Sequence, residues 1–499
     1  MYMKNGQTKS LIQFIDNQNL NRVKKFLKSP FFNQQPALIS LFEHYRNMLN
    51  QAENNLPNEA LFEKLYPLEA GQVPDSRRRR KKVENTISDL GLAMEQFLAV
   101  SALQKDTLKQ AEYVIGLLSG TSLEKLFYQK LNKFGKEIHE TPFGYRRHYA
   151  RYKYFEALLT FSLVNKTRKA DGARLYKDML ESWEKAYLCI RLKLAINALQ
   201  MAKMFDVEPP DESDIRATLL QAAPYADKNN PDINLSHMLG LLVTVRKDDP
   251  SFFSDVLELM METWKSIEIA DLQDMVVLLQ NFCTARHNEG KSAYLPLKFK
   301  IDKWSIDEGV LVVKGEELPD ETFLDLVITG LGIAGQRDIV IQFIEKNQKR
   351  IRKSRQRDAV ALAMAYYYFT GKEFEKALLA LKDCKAKEPN YVLRIQTLSP
   401  RLAYECYALE SGEYETAVTA LNAFRRFLSR NNTNVESNKK SAYLRLAWFL
   451  GELIEIRNNP YADLEKSRSR LLSELNKKPL VAKTWVSQKI EELAKRPGN

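Results

Sequence analysis

Apolar residues recur every three or four positions through nearly all of the 499-residue chain, and this spacing constrains the fold more than any motif does. In "LIQFIDNQNLNRVKKFLKSPFFN", Leu11, Phe14 and Ile15 share one side, then Val23, Phe26 and Leu27, and Ser29-Pro30 ends the second helix. Pro36 opens "PALISLFEHYRNML" at a position where its missing N–H costs nothing. Further on, Val83, Ile87, Leu90, Met94, Phe97 and Leu98 make one stripe. Helices this short are unstable singly, so each must bury its apolar side against a neighbour. The expectation is an all-α fold.

The middle of the chain repeats the pattern in "SLEKLFYQKLNKFGKEI", "RRHYARYKYFEALLTFSLVN" and "ESWEKAYLCIRLKLAINALQMAKMF". One stretch also reads as strand. Leu297, Phe299 and Ile301 alternate with charges ahead of "GVLVVKG", which offers a small β-hairpin near residues 297–314; Leu297, Ile301 and Trp304 at helical spacing offer a helix instead. The expected organisation is an N-terminal helical region (1–110), a middle helical region (111–300) and a helical-repeat region (318–499).

The most specific pattern lies in that last region. "AYYYFTGKEFEKALLALKDCKAKEPN" and "AYECYALESGEYETAVTALNAFRRFL" both run helix, Gly, aromatic, Ala, helix, with Gly371, Phe374 and Ala377 answered by Gly412, Tyr414 and Ala417. A weaker copy, "FLDLVITGLGIAGQRDIVIQFIEKN", has Gly335 at its turn. The glycine is expected to permit the reversal, the aromatic to fill the wedge between helices and the alanine to let them approach. At these residues the chain resembles the tetratricopeptide repeat, which implies helix pairs stacked as a solenoid with a groove for a protein or peptide. Leu402, Cys406 and Leu409 do not match the Lys and Asn carboxylate clamp of some such domains, so no preference for acidic tails is implied. Together with "FLKSPFFN", "FIEKNQKRI" and "FRRFLSRN", the layout also resembles a group of all-helical bacterial proteins of uncharacterised activity, a likeness that implies a fold alone.

The net charge of +12 sits in two short segments. Arg77, Arg78, Arg79, Arg80, Lys81 and Lys82 form one. Lys346, Lys349, Arg350, Arg352, Lys353, Arg355 and Arg357 form the other; taking these thirteen cations from +12 leaves −1 for the rest of the chain. Six cations at a helix start oppose its partial positive charge. The run reads as a solvated first turn capped by Asp75 and Ser76 and answered by neighbouring carboxylates, as a loop with only Arg80 to Lys82 helical, or as an anion-binding patch for RNA, DNA or an acidic protein surface. Tyr145, Tyr149 and Tyr152, beside Arg147 and Arg151, read as a stripe joining the core, with base stacking as the alternative.

No motif carries chemistry. The five histidines, His44, His139, His148, His237 and His287, have no ligand partner at metal-binding spacing, and Cys189, Cys283, Cys384 and Cys406 form no Cys-x-x-Cys pair. Neither a nucleophile elbow nor a phosphate loop is present, and "GLGIAG" at 330–335 lies inside a helix-pair pattern. The expectation is therefore no catalytic residue, no cofactor and no metal. Free thiols, the lack of a secretory h-region and the lack of a membrane-length apolar run point to a cytoplasmic protein that does not act at a membrane. The function expected is a non-catalytic scaffold for a protein or peptide partner; the alternative is nucleic-acid or ribosome association through segments 77–82 and 346–357.

Overall fold

The computed structural model describes residues 2–15, 17–49, 56–69, 75–166, 172–205, 207–312, 317–409, 412–430, 437–475, 477–478 and 480–493. Among the described residues there are 23 α-helices and no β-strand. The chain forms two compact units, one of residues 1–140 and 153–176, the other of 141–152 and 177–499.

The first unit holds α1 (Tyr2–Phe14), α2 (Asn17–Lys28), α3 (Pro36–Leu49), α4 (Asn58–Leu65), α5 (Ser76–Lys105), α6 (Thr107–Ser119), α7 (Glu124–Glu140), most of α8 (Tyr145–Val164) and the start of α9 (Gly172–Phe205). The stripes read from the sequence are buried here: Val23, Leu27, Val83, Ile87, Leu90, Met94 and Phe97 belong to one core. Phe127 of α7 and Phe161 of α8 stack with centroids 4.0 Å apart. Asp106 caps α6 by accepting the Lys109 N–H at 3.0 Å, which satisfies one of the donors every helix start leaves over.

The second unit continues with α10 (Glu212–Ala222), α11 (Pro231–Thr244), α12 (Pro250–Thr263), α13 (Ile269–Asn288), α14 (Tyr294–Asp307), α15 (Asp320–Leu331), α16 (Arg337–Asn347), α17 (Lys353–Thr370), α18 (Phe374–Asp383), α19 (Pro389–Ala408), α20 (Tyr414–Arg430), α21 (Ser437–Asn458), α22 (Leu464–Leu475) and α23 (Lys483–Leu493). Its cores hand over from one helix pair to the next. Tyr294 and Ile301 of α14 pack with α12 and α13, whereas Phe299 and Ile306 of the same helix pack with α15 to α19. Each pair thus buries the side the previous one leaves open.

The hairpin near 297–314 is not formed. Residues 294–307 are helical, 308–311 turn, and 313–316 lie outside the described residues. The alternating charges misled because two of them are themselves interior: Lys298 donates to Asp302 at 2.6 Å, one turn along α14, and both are buried. A second correction concerns the turn between α17 and α18. The left-handed residue there is Lys372, with φ 59°, while Gly371 has φ −79°. Gly371 instead lies against the Arg337 guanidinium, which would have to shift aside for a Cβ there. Phe374 and Ala377 are buried as the wedge reading requires, as is Ala417, while Tyr414 is half-buried and donates to Glu455 at 3.2 Å. Gly335, with φ 78°, does take the left-handed turn between α15 and α16.

Candidate functional site

The start of α8 is fixed from outside the helix. Phe143 forms a parallel bridge with Ile267, its N–H donating to the Ser266 carbonyl at 2.6 Å and its carbonyl accepting from Glu268 at 2.9 Å. Gly144 then reverses the chain with φ +153°, a conformation that side chains disfavour, and the helix begins at Tyr145. One turn in, Arg147 donates to the Thr141 carbonyl at 2.9 Å and lies over the Phe143 ring at 3.9 Å, while His148 turns inward and is buried.

There His148 meets two residues from other helices. Asp232 sits just behind Pro231 in the first turn of α11, where an acid complements the helix start. Cys189 lies midway along α9. His148 Nε2 is 3.0 Å from Asp232 Oδ2, and the Cys189 thiol donates to the same oxygen at 3.1 Å. Facing a carboxylate, Nε2 must carry the proton that Asp232 accepts. The second oxygen, Asp232 Oδ1, is buried and has no hydrogen-bond partner. Burial alone would raise the Asp232 pKa; the His148 bond and charge, the thiol and the Ile233 N–H reverse this and hold the carboxyl below its usual range. Burial, with the adjacent carboxylate, pushes the Cys189 thiol well up.

Beside this trio lies a cavity of about 40 Å³, lined by Gly144, Cys189, Asp232, Lys193, Asp271 and Asp274 among others. Lys193, one turn along α9 from Cys189, donates to Asp271 at 2.7 Å and Asp274 at 2.8 Å. Burial works against its charge, but these two bonds keep its pKa above the usual lysine value. The volume suits a few waters or a bare ion and no metabolite, at roughly 10–15 Å³ per water.

The geometry excludes a cysteine-nucleophile triad. Such a triad places His between thiol and acid. Here the acid is in the middle, and a thiol with a raised pKa is inert. What the trio does offer is three different metal donors, whose ligand atoms lie within 4.8 Å of one another. Sequence inspection missed them because His148 and Asp232 are 84 residues apart and Cys189 and Asp232 are 43 apart. The one local signal was an Asp behind a helix-opening Pro, which reads as a helix start and nothing more.

The basic segments lie in different units. In the first, α5 begins at Ser76, so all six cations are helical and the loop alternative is corrected. Asp75 caps the helix through the Arg77 N–H at 2.9 Å. Arg78 faces Asp75 at 3.7 Å, Arg80 pairs with Glu84 at 2.9 Å, and Lys82 pairs with Glu69 at 2.5 Å over the Tyr66 ring. Arg79 lies over Phe62. Arg77 and Lys81 are exposed and face no carboxylate among the described residues. In the second unit, Arg350 donates to Asn347 at 2.9 Å, Arg352 pairs with Glu317 at 3.2 Å, and Arg355 pairs with Glu388. Lys346, Lys349, Lys353 and Arg357 are exposed. Tyr145, Tyr149 and Tyr152 form a ladder that ends on Trp183 of α9, with centroids 5.5, 5.9 and 5.3 Å apart in turn.

One further surface lies along α9. The inner side of α9 is buried through Ser182, Ala186, Leu188, Leu192 and Ile196. Its outer side exposes Leu180, Trp183, Tyr187, Ile190, Leu194 and Met201, each between 40% and 63% accessible. These positions follow one another at steps of three and four, with the polar Asn197 completing the series. α9 therefore carries apolar residues on a second side besides the one it buries.

Fold and site together define an all-α protein of successive helix pairs. Comparison with family models, with curated proteins and with solved structures finds no match to this chain.

Proposed function

We propose that this chain is a non-catalytic scaffold of tetratricopeptide-like helix pairs that binds a protein partner along the outer side of α9, and that the partner is a second copy of the same chain. The observation that carries this reading is the exposed apolar series from Leu180 to Met201. Its alternating steps of three and four are those of a coiled-coil seam, so the shape that fits it is another helix. Laid antiparallel on itself, the seam is self-complementary. Tyr187 falls opposite Ile190 of the second copy, Trp183 opposite Leu194 and Leu180 opposite Asn197, so large residues meet smaller ones in each layer.

Charge supports the same arrangement. Glu184 and Arg191 flank the seam, both exposed. Neutral partners hold them: Glu184 accepts from the Tyr225 hydroxyl at 2.6 Å, and Arg191 donates to Thr218 at 2.9 Å and Tyr187 at 2.8 Å. In the antiparallel register Glu184 of each copy faces Arg191 of the other, giving two equivalent ion pairs. A parallel pairing would set these positions against Met179 and Ala186, which carry no charge. Nucleic-acid association is the weaker reading, because Glu84, Glu69, Glu317 and Glu388 already answer part of both basic segments.

The test is molar mass against concentration by sedimentation or light scattering. The wild type is expected to pass from one copy to two; Glu184→Arg or Arg191→Glu weakens the dimer, and the two together restore it. A wild type that stays single at all concentrations, or a double variant no better than either single one, overturns the reading.

A further inference from the structure

We propose that His148, Cys189 and Asp232 form a binding site for a divalent transition metal, Zn²⁺ by the chemistry of its donors. An imidazole, a thiol and a carboxylate from α8, α9 and α11 converge in the interior, with all ligand atoms within 4.8 Å of one another. Mixed nitrogen, sulfur and oxygen donors in this number suit zinc, whereas magnesium and calcium take oxygen alone.

Three observations separate a ligand site from an ordinary buried hydrogen-bond cluster. Asp232 Oδ1 is buried with no partner, although a buried carboxylate oxygen costs free energy unless something satisfies it. Oδ2 meanwhile takes both side-chain donors, His148 and Cys189, at 3.0 and 3.1 Å. Bonds to zinc of about 2.0–2.3 Å would spread tetrahedral donors to roughly 3.3–3.8 Å, so His148 and Cys189 each have to draw back from Asp232 Oδ2 by only a few tenths of an ångström. The cavity against Cys189 and Asp232 gives room for a water as fourth ligand.

The charge balance also fits. One thiolate and one carboxylate match a divalent ion; of the two nearby cations, Lys193 is already tied to Asp271 and Asp274, while Arg147 donates to the Thr141 carbonyl and also feels the Asp232 charge. On binding, the Cys189 proton leaves to solvent and the imidazole proton moves from Nε2 to Nδ1, so that Nε2 coordinates. The bound ion would join α8, α9 and α11 at one point. This inference does not rest on the α9 outer seam, of whose residues Asn197 alone lines the cavity.

Cobalt(II) is the probe, titrated into the metal-free full-length chain. The expected result is one equivalent bound, with a thiolate-to-cobalt charge-transfer band that Zn²⁺ then displaces, and a rise in melting temperature. Cys189→Ser abolishes the band, and His148→Gln or Asp232→Asn weakens binding at least ~10-fold, the low end for changes even to residues behind the ligands. Circular dichroism of the metal-free variants checks folding; should one fail to fold, the other two decide. Absence of the band in the wild type, its persistence in Cys189→Ser, or equal cobalt uptake by all folded variants overturns the site.

Discussion

Lys298→Met tests how the helix pairs are held to one another. Lys298 Nζ donates to Asp302 Oδ2 at 2.6 Å and to Thr329 Oγ1 at 3.2 Å, and Asp302 Oδ1 accepts from Gln280 at 2.8 Å, so the pair joins α14 to both α13 and α15. The Asp302 side chain is 1% exposed and that of Lys298 10%, which leaves little water to screen the charge that remains. Removing one member of a buried pair costs about 3–5 kcal/mol, whereas replacing both with apolar groups is neutral or stabilising by about 1–4 kcal/mol. Lys298→Met alone is therefore expected to lose about 3–5 kcal/mol, and Lys298→Met with Asp302→Leu to recover it. Urea unfolding followed through Trp304, on the same helix, reads both.

The pH dependence follows from Asp302. Burial raises its carboxyl pKa against the pull of Lys298, so in the folded state it keeps its proton to higher pH than the unfolded value of about 3.9. A folded state that binds more protons than the unfolded one loses stability as pH rises. The deficit of Lys298→Met should therefore be smallest near the unfolded value and grow as pH climbs through the raised folded one. A loss below about 1 kcal/mol, or a double variant less stable than the single one, would refute the view that this pair is a buried, mutually compensated charge.

Three further outcomes are expected. Leu194→Glu should weaken self-association: Leu194 is 63% exposed, and full burial of a leucine is worth about 1.5–3 kcal/mol, so two copies lose about 2–4 kcal/mol, roughly 30- to 1,000-fold in Kd by sedimentation. Lys372→Gly should raise stability by about 0.5–1 kcal/mol in thermal melts, since the left-handed backbone costs a lysine about 1–2 kcal/mol and glycine's extra freedom returns only part of it. Gly144→Ala should lower the melting temperature and weaken cobalt binding, because a Cβ at φ +153° would lie 3.2 Å from Asp271 Oδ2 at the turn that aims His148.

Spacing made most helices legible, because a stripe such as Val83 to Phe97 has one solution: bury it. Legibility failed where two solutions share a pattern. Lys298 and Asp302 alternate with apolar residues as exposed strand charges would, and only their burial as a pair reveals a helix. The α9 seam is plain in the sequence, yet Leu188, Leu192 and Ile196 are equally plain, and which side meets the core depends on helices that come later in the chain. His148, Cys189 and Asp232 carry no local signature, since tertiary packing alone brings them together. At the α17–α18 turn the glycine was legible but its reason was not, because Gly371 lies against Arg337 and Lys372 takes the turn.

Disulfide trapping across the seam tests the central claim most directly. With a rise of about 1.5 Å per residue, antiparallel pairing puts Trp183 level with Leu194 of the second copy and the two copies of Trp183 roughly 16 Å apart along the axis, beyond the ~7 Å that a disulfide spans. Trp183→Cys and Leu194→Cys chains, mixed and mildly oxidised, should form the mixed covalent dimer, and neither variant alone should cross-link. No cross-link in the mixture, or rapid linking of Trp183→Cys to itself, would contradict the antiparallel seam.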